Sequence, residues 1–218
     1  MKNSDIVYSI YSESNFLTRI KQKYRESICS FEPIEDVLPK GRFSMLDIGC
    51  GSGWFGLKNL INNNDIEYVG VDCDSSAIES AIRARDKAIS LGLLNDEMKI
   101  DYFIDVGNLA DGQHFDVIIL IDVLHHVKKV NLNEFFSKIL SRLSVDGVLI
   151  IKDMNSSPLL KMAVNQVHDL VLSKEWIEHI PQEYLVHCLS PLRCTSITEY
   201  QSKFYSHYLH TYKAIDEY

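Results

Sequence analysis

The sequence lacks any long apolar run. No stretch of its 218 residues approaches the roughly 20 apolar residues needed to cross a bilayer. The N-terminal MKNSDIVYSIYSESN also lacks the continuous apolar core of a signal peptide. We therefore expect a cytoplasmic protein with no membrane partner.

Paired cysteines and basic charge are also scarce. The five cysteines are odd in number and contain no C-x-x-C, and they are Cys29, Cys50, Cys73, Cys188 and Cys194. This pattern favours reduced, mostly buried thiols over a zinc site or a disulfide framework. The formal net charge of -8 argues against the basic surface that binds nucleic acid, although a locally basic groove would still permit such a substrate.

One dense motif does stand out, SMLDIGCGSGWFGL over residues 44–57. An apolar run with an acid, Asp47, precedes three alternate glycines, Gly49, Gly51 and Gly53, and a segment with helical spacing follows. The pattern predicts a buried strand, a tight turn and a helix start. Glycines there permit positive φ and let a ligand approach the backbone, while the helix N–H groups favour an anionic or polar ligand group.

Two protein families use such a turn. Residues 51–56 satisfy the G-x-G-x-x-G pattern of dinucleotide-binding Rossmann domains, which is a weak signal alone. The longer string LDIGCGSG resembles motif I of the class I S-adenosylmethionine-dependent methyltransferases more closely. The resemblance implies S-adenosylmethionine as cofactor. On this resemblance, the residues of the turn that would hold it are Asp47, Gly49, Cys50, Gly51 and Gly53.

The next apolar run, IEYVGV at residues 66–71, predicts a second strand that ends at Asp72. An acid about 20 residues beyond the glycine turn can accept hydrogen bonds from both ribose hydroxyls, in methyltransferases and NAD enzymes alike. We count Asp72 and its neighbour Cys73 among the cofactor-binding residues. Asp74 instead fits the N-cap of the following helix.

Two further strand ends complete the predicted cofactor site. Residues 98–104 predict the third strand, after which the resemblance assigns Asp105 to the adenine amino group and Val106 to the face of the ring. Residues 115–121, FDVIILI, predict a central parallel strand that ends at Asp122. Ligands of open α/β sheets lie outside the carboxyl ends of the strands, so Asp122 joins the site.

Histidines near the same strand ends are candidates for proton transfer. An alcohol or phenol acceptor usually needs a base, and His125 and His126 follow the fourth strand, while His168 lies beyond the fifth. We predict that His126, His125 or His168 is the base, with Asp153 as an acid that His168 could meet across the pocket. A purely structural role is the alternative for each histidine.

A metal site and an amino-methyltransferase site are both disfavoured. Asp122, Asp153 and Asn155 approximate a catechol-type cation site, but the last two are not adjacent as that site requires. We therefore expect no metal. The Asn/Asp-Pro-Pro-Tyr motif of amino-methyltransferases is absent, because residues 122–125 read DVLH.

The resemblance implies an α/β, Rossmann-like sheet of seven mostly parallel strands in the order 3-2-1-4-5-7-6. Helices would lie on both faces and the last strand would be antiparallel. Helical spacing in residues 1–40 predicts helices there. The resemblance implies that such a segment covers the cofactor, with Tyr8, Tyr11 and Phe16 as candidate ligand contacts, and a helix packed on the sheet without ligand contact is the alternative. Residues 41–218 would form the catalytic domain. A second mononucleotide half, which a dehydrogenase would need, is not visible.

These features predict a methyltransferase that transfers a methyl group to an oxygen or nitrogen of a small molecule in biosynthesis. An NAD(P)-dependent oxidoreductase and a non-catalytic S-adenosylmethionine-binding module are the alternatives, and an RNA methyltransferase stays open. A homodimer is compatible with the sequence.

Overall fold

A single seven-stranded sheet organises the computed structural model, which describes residues 3–14, 16–154, 180, 182–201 and 206–214. The strands are β1 (Phe43–Ile48), β2 (Ile66–Val71), β3 (Ile100–Phe103), β4 (Phe115–Ile121), β5 (Leu143–Met154), β6 (Leu192–Gln201) and β7 (Ser206–Ala214). The helices described are α1 (Asn3–Ile10), α2 (Phe16–Ile28), α3 (Glu32–Glu35), α4 (Trp54–Asn62), α5 (Ser75–Ser90), α6 (Leu132–Leu140) and α7 (Gln182–Cys188).

The strand order is β3-β2-β1-β4-β5-β7-β6, which confirms the predicted topology. Strands β1 to β5 pair in parallel, and β7 runs antiparallel to both β5 and β6. The crossovers between parallel strands place helices on both faces of the sheet. All five parallel strands therefore end at the same edge.

The two faces of the sheet build two separate cores. Met45 and Ile119 pack on one face with residues of α4, and Leu46 and Ile118 pack on the other face with Phe136 of α6. Strands β1 and β4 are buried on both faces, so their sequences are almost continuously apolar rather than alternating.

Several predicted boundaries differ from the structure. Strand β3 is shorter than the predicted 98–104. The amphipathic spacing of residues 132–143 predicts a helix up to Leu143, but α6 ends at Leu140. The sequence Val145–Asp146–Gly147 predicts a turn into the fifth strand, which is wrong, because these residues lie inside β5. Leu143 pairs with Phe115, and the next pair is Val148 with Val117. The register shift between these two pairs accommodates the extra residues of β5, which include Asp146 and Gly147.

Alternating residues predict two last strands, at 194–200 and 205–214, and the hairpin of β6 and β7 confirms them. Pro158 and the apolar spacing after it predict a helix that contains His168, and that segment lies outside the described residues. None of the five cysteines, all of which are described, forms a disulfide, but only Cys29 is buried, so the expectation of mostly buried thiols was wrong. In the part of the chain described, every helix is too short or too polar to cross a bilayer.

Candidate active site at the carboxyl edge of the sheet

The carboxyl ends of the five parallel strands bring five acids to one edge. Each strand carries an aspartate within two residues of its end, and these are Asp47, Asp72, Asp105, Asp122 and Asp153. Open α/β sheets bind their ligands outside this edge. The structure therefore gathers the candidate residues predicted from β1 to β5, while His168 lies outside the described residues.

The glycine turn after β1 has the backbone that the sequence predicts. Gly49, Gly51 and Gly53 have φ values of 73°, 54° and 82°, in the left-handed region that side chains disfavour. A Cβ on Gly49 would lie 2.4 Å from Val123 Cγ2, and one on Gly53 would lie 2.7 Å from Tyr102 Oη. A Cβ on Gly51 would meet nothing within 4 Å. The turn is thus tightly packed at both ends and open above its middle glycine.

The acid after β2 lies against this turn. Asp72 Oδ2 accepts a hydrogen bond from Gly51 N at 2.8 Å, and its Oδ1 accepts one from Asp74 N at 2.9 Å. Cys73 is exposed beside it. As predicted, Asp74 is the N-cap of α5 and accepts a hydrogen bond from Ser76 N. A carboxylate is therefore fixed next to the open middle of the glycine turn.

Asp47 lies in the protein interior rather than on the surface of the site. Its carboxyl is 1% exposed and accepts a hydrogen bond from Tyr68 Oη at 2.8 Å. Burial raises the pKa of Asp47 to about 7, against the opposing effect of the Tyr68 hydrogen bond. Burial also raises the pKa of the neighbouring Cys50 thiol. Contact of either side chain with a cofactor stays a prediction.

The residues after β3 remain open to solvent. The Asp105 side chain is 62% exposed, and its Oδ1 lies 4.0 Å from Lys138 Nζ. Asp105 caps a short 3₁₀ turn, Val106–Asn108, by accepting a hydrogen bond from Gly107 N at 2.6 Å. Val106 is partly buried. Their predicted contacts with adenine remain untested.

A buried ion pair joins the ends of β4 and β5. Lys152 is fully buried and its Nζ donates to Asp122 Oδ1, while Arg25 of α2 lies 3.4 Å from Asp122 Oδ2. Burial alone would raise the pKa of Asp122, but Lys152 and Arg25 hold it well below its usual range. Burial alone would lower the pKa of Lys152, but the attraction of Asp122 raises it instead. Both groups therefore stay charged.

Asp122 also has an unusual backbone. Among the described residues it is the one non-glycine residue with positive φ, at 57°. Its N–H donates to Lys152 O at 2.9 Å, so both its backbone and its side chain are held by Lys152. Strained conformations of this kind persist where the surroundings fix them, and they cluster at functional sites.

A histidine–aspartate pair lies next to the ion pair. His125 Nδ1 is 2.6 Å from Asp153 Oδ1, and both groups are buried. Asp153 also accepts hydrogen bonds from the backbone N–H groups of Leu124 and Met154, at 2.8 and 2.7 Å. His126 is exposed, with its ring 4.2 Å from that of His125.

The protonation of this pair follows from its surroundings. Burial alone would raise the pKa of Asp153, but the charge and hydrogen bond of His125 keep it below its usual range. An ionised Asp153 requires that Nδ1 of His125 carries a proton and donates it. When the His125 ring is neutral, Nε2 is therefore the nitrogen without a proton, and it can take one from an acceptor.

The N-terminal helices contact the site through a few polar groups. Tyr11 is buried and its Oη donates to Ser52 O in the glycine turn at 2.6 Å. By contrast, the other aromatic candidates, Tyr8 and Phe16, are 66% and 72% exposed. The sequence analysis missed Arg25 and Lys152, although a lysine at the end of the apolar strand VLIIK was a signal for a buried charge pair.

Two members of the cation site weighed from the sequence have other partners. Asp122 is paired with Lys152, Asp153 with His125, and Asn155 lies outside the described residues. Within the described ranges, no group of three or more His, Cys, Asp or Glu side chains is arranged to hold a metal ion.

The sequence profile of the methyltransferase domain family matches residues 16–191 of the chain. The chain belongs to this methyltransferase domain family. The matched range includes the glycine turn, the five aspartates and the histidine–aspartate pair.

Named relatives share part of this domain. A ubiquinone biosynthesis O-methyltransferase of Bartonella quintana is 32% identical over 136 residues, which are 60% of this chain and 50% of that protein. A protein of the same name in Rickettsia bellii is 26% identical over 112 residues, 51% of this chain and 42% of its own. The chain therefore spans about half the length of these relatives, or less.

Solved structures share the fold. The pyocyanin biosynthetic protein PhzM has a TM-score of 0.70 at 16% identity, covering 96% of this chain and 62% of its own. The magnesium protoporphyrin IX methyltransferase of Synechocystis PCC 6803, solved with bound S-adenosylhomocysteine, has a TM-score of 0.63 at 17% identity, covering 97% of this chain and 93% of its own.

The buried ion pair predicts a large stability effect. Lys152→Met should lower the free energy of unfolding by about 3–5 kcal/mol, because it leaves the Asp122 carboxylate buried without its main partner. Urea denaturation measures the change. Lys99→Met, which removes an exposed lysine paired with Glu67, should change stability by less than about 1 kcal/mol. Equal effects of the two substitutions would contradict the buried pairing.

The raised pKa of Asp47 predicts a pH-dependent stability. Because its folded pKa of about 7 exceeds the unfolded value, the folded state binds the proton more tightly. Its stabilising contribution is therefore complete below the unfolded pKa and is lost as pH rises through about 7. Relative to Asp47→Asn, the wild type should lose roughly 2–3 kcal/mol between about pH 5 and 8. Urea midpoints at both pH values test this, and parallel pH profiles would refute it.

Proposed function

We propose that this chain is an S-adenosylmethionine-dependent methyltransferase that acts on an oxygen atom of a small molecule. The observation that carries the proposal is the placement, at one sheet edge, of a glycine turn open to a ligand and a buried His125–Asp153 pair. The names of the Bartonella and Rickettsia relatives assign them O-methyl transfer in ubiquinone biosynthesis, which supports oxygen as the acceptor atom.

The residues at the glycine turn fit this cofactor. The space above Gly51 is open and would be filled by a side chain, and the Asp72 carboxylate next to it suits the ribose hydroxyls. We propose Asp105 and Val106 for the adenine. S-adenosylmethionine, when bound, supplies a methyl group activated by a positively charged sulfur. The neighbour from Synechocystis was solved with the demethylated product of this cofactor.

His125 is our proposed general base. The ionised Asp153 holds its Nδ1–H by a 2.6 Å hydrogen bond and fixes the ring orientation. His125 Nε2 would then take the proton of the acceptor hydroxyl as the oxygen becomes nucleophilic. Lys152 and Arg25 neutralise the charge of the neighbouring Asp122 carboxylate. Asp122 therefore does not compete with His125 for the proton of the acceptor.

Residues 1–40 are our proposed cover of the site, and residues 41–218 our proposed catalytic domain. Tyr11 reaches the glycine turn and Arg25 reaches Asp122, so helices α1 and α2 are attached at two points of the edge. A cover held in this way would exclude water from the reacting groups. Other anchors of this segment include Ser14 on Ser80, Glu13 on Lys87 and Glu35 on Lys58.

A matched pair of glycine variants tests cofactor binding. Gly51 and Gly112 both have positive φ, and a Cβ on either would meet nothing within 4 Å. Alanine at each position should therefore incur a similar backbone strain of roughly 1–2 kcal/mol. Gly51→Ala should weaken S-adenosylhomocysteine binding by at least about tenfold, a loss of about 1.4 kcal/mol, because its Cβ enters the ligand space.

Titration calorimetry gives the readout for this pair. Wild type and Gly112→Ala should bind S-adenosylhomocysteine with the same affinity, and NAD should not bind. Binding of NAD instead would move the protein to the oxidoreductases, and equal binding by both variants would remove the glycine turn from the site.

Histidine variants test the proposed base. With an acceptor found by screening phenols and alcohols against the wild type, His125→Ala should lower the rate of product formation by about 10²–10⁴-fold, while S-adenosylhomocysteine binding is retained. Asp153→Asn should also slow the reaction and change its pH profile, since the tautomer of His125 is no longer fixed. The control is His126→Ala, at the exposed neighbouring ring. A base at His126 instead would reverse the order of these two histidine variants.

A further inference from the structure

Helix α2 presents to solvent the apolar side chains for which the structure describes a position. Phe16, Ile20 and Tyr24 recur every fourth residue and are 72%, 40% and 50% exposed. The inward side is polar, because Gln22 is 6% exposed and Arg25 pairs with Asp122. A surface helix of a globular protein normally turns its apolar stripe to the core. This arrangement is reversed here.

The exposed stripe continues onto helix α1. The Arg19 guanidinium lies 5.2 Å from the centre of the Tyr8 ring, which is 66% exposed. We call Phe16, Ile20 and Tyr24 of α2, together with the adjoining Tyr8 of α1, the outer face of α2. It holds four of the ten exposed large apolar side chains of the described residues. The other six are spread over the rest of the chain, and they are Leu91, Ile104, Val130, Val145, Val186 and Ile197.

The charge around the outer face is opposite to that of the whole chain. The chain has a formal net charge of -8, whereas residues 16–28 contain four basic residues and one acid. Helical spacing places Lys23, with Arg19 beyond it, at one edge of the stripe and Lys21 at the other. Among the acids, Asp74 at the N-cap of α5 interacts with Lys21, and its pKa is lowered mainly by hydrogen bonding to Ser76 and to a smaller extent by Lys21, while Glu13 pairs with Lys87.

We propose that α2 lies on an anionic membrane surface and inserts its outer face at the boundary between headgroups and acyl chains. An aromatic and aliphatic stripe, flanked by cations on a helix of low overall hydrophobicity, is the pattern of interfacial helices. Two of the three flanking cations are lysines, a residue depleted at protein–protein interfaces but attracted by anionic headgroups. Charge complementarity therefore favours a lipid surface over a protein partner.

This inference revises the sequence-based expectation of no membrane partner. That expectation followed from the lack of a spanning segment, and a helix that lies in the interface needs none. The inference does not depend on the proposed methyl transfer, since the outer face points away from Asp122 while Arg25 on the inward side contacts it.

Sedimentation with vesicles tests the proposal. The full chain should sediment with phosphatidylcholine vesicles that contain phosphatidylglycerol, and much less with pure phosphatidylcholine. The triple variant Phe16→Ser, Ile20→Ser, Tyr24→Ser should bind the anionic vesicles at least about tenfold more weakly. The matched control is Val130→Ser, Val145→Ser, at sites 85% and 83% exposed, which should bind like the wild type.

Charge variants and stability measurements distinguish a lipid surface from the other possible occupants of this face. Lys21→Glu, Lys23→Glu should abolish binding to the anionic vesicles. The serine variants should keep the thermal midpoint of the wild type. The proposal is overturned if the wild type ignores anionic vesicles, or if the serine variants are much less stable than the control, which would mean that the chain itself covers the face. If the wild type forms a dimer that the serine variants lose, and the wild type does not bind vesicles, the outer face belongs to a second copy and the proposal is likewise overturned.

Discussion

The rest of the site depends on the need of one lysine, buried at the carboxyl edge of the sheet, for a counter-charge. Lys152 is fully buried, and a charge in that position is tolerated only with a well-placed counter-charge. Asp122 supplies it from a left-handed backbone, and Arg25 adds a second cation from helix α2. One charge cluster therefore fixes the relative positions of β4, β5 and the N-terminal helices.

Because of this charge cluster, the neighbouring acids have different roles. Because Asp122 is paired with two cations, Asp153 is the carboxylate that orients His125. Asp47, on β1, is buried in the interior, where it accepts a hydrogen bond from Tyr68. Asp72, which follows β2, is the acid that accepts a hydrogen bond from the glycine turn. Acids that look equivalent in sequence thus have three roles: charge pairing, histidine orientation and turn fixation.

The resemblance of the glycine motif to a known family predicted the fold, and the apolar runs predicted the positions of the strand ends because they are local signals. The sequence did not distinguish His125 from His126, since their difference depends on Asp153, which is distant in sequence but adjacent across β4 and β5. The burial of Lys152 and the outward apolar stripe of α2 were missed for the same reason. Which side of a helix or strand faces the core depends on its neighbours in the tertiary structure.

A crystal structure with S-adenosylhomocysteine would test the central claim, that the carboxyl edge of this sheet is a methyl-transfer site, most directly. We expect the ligand to lie over Gly51 with its ribose hydroxyls on Asp72 and its sulfur towards the His125 side of the edge. Density for the ligand away from the glycine turn, or a turn unchanged and empty at saturating ligand, would contradict the account.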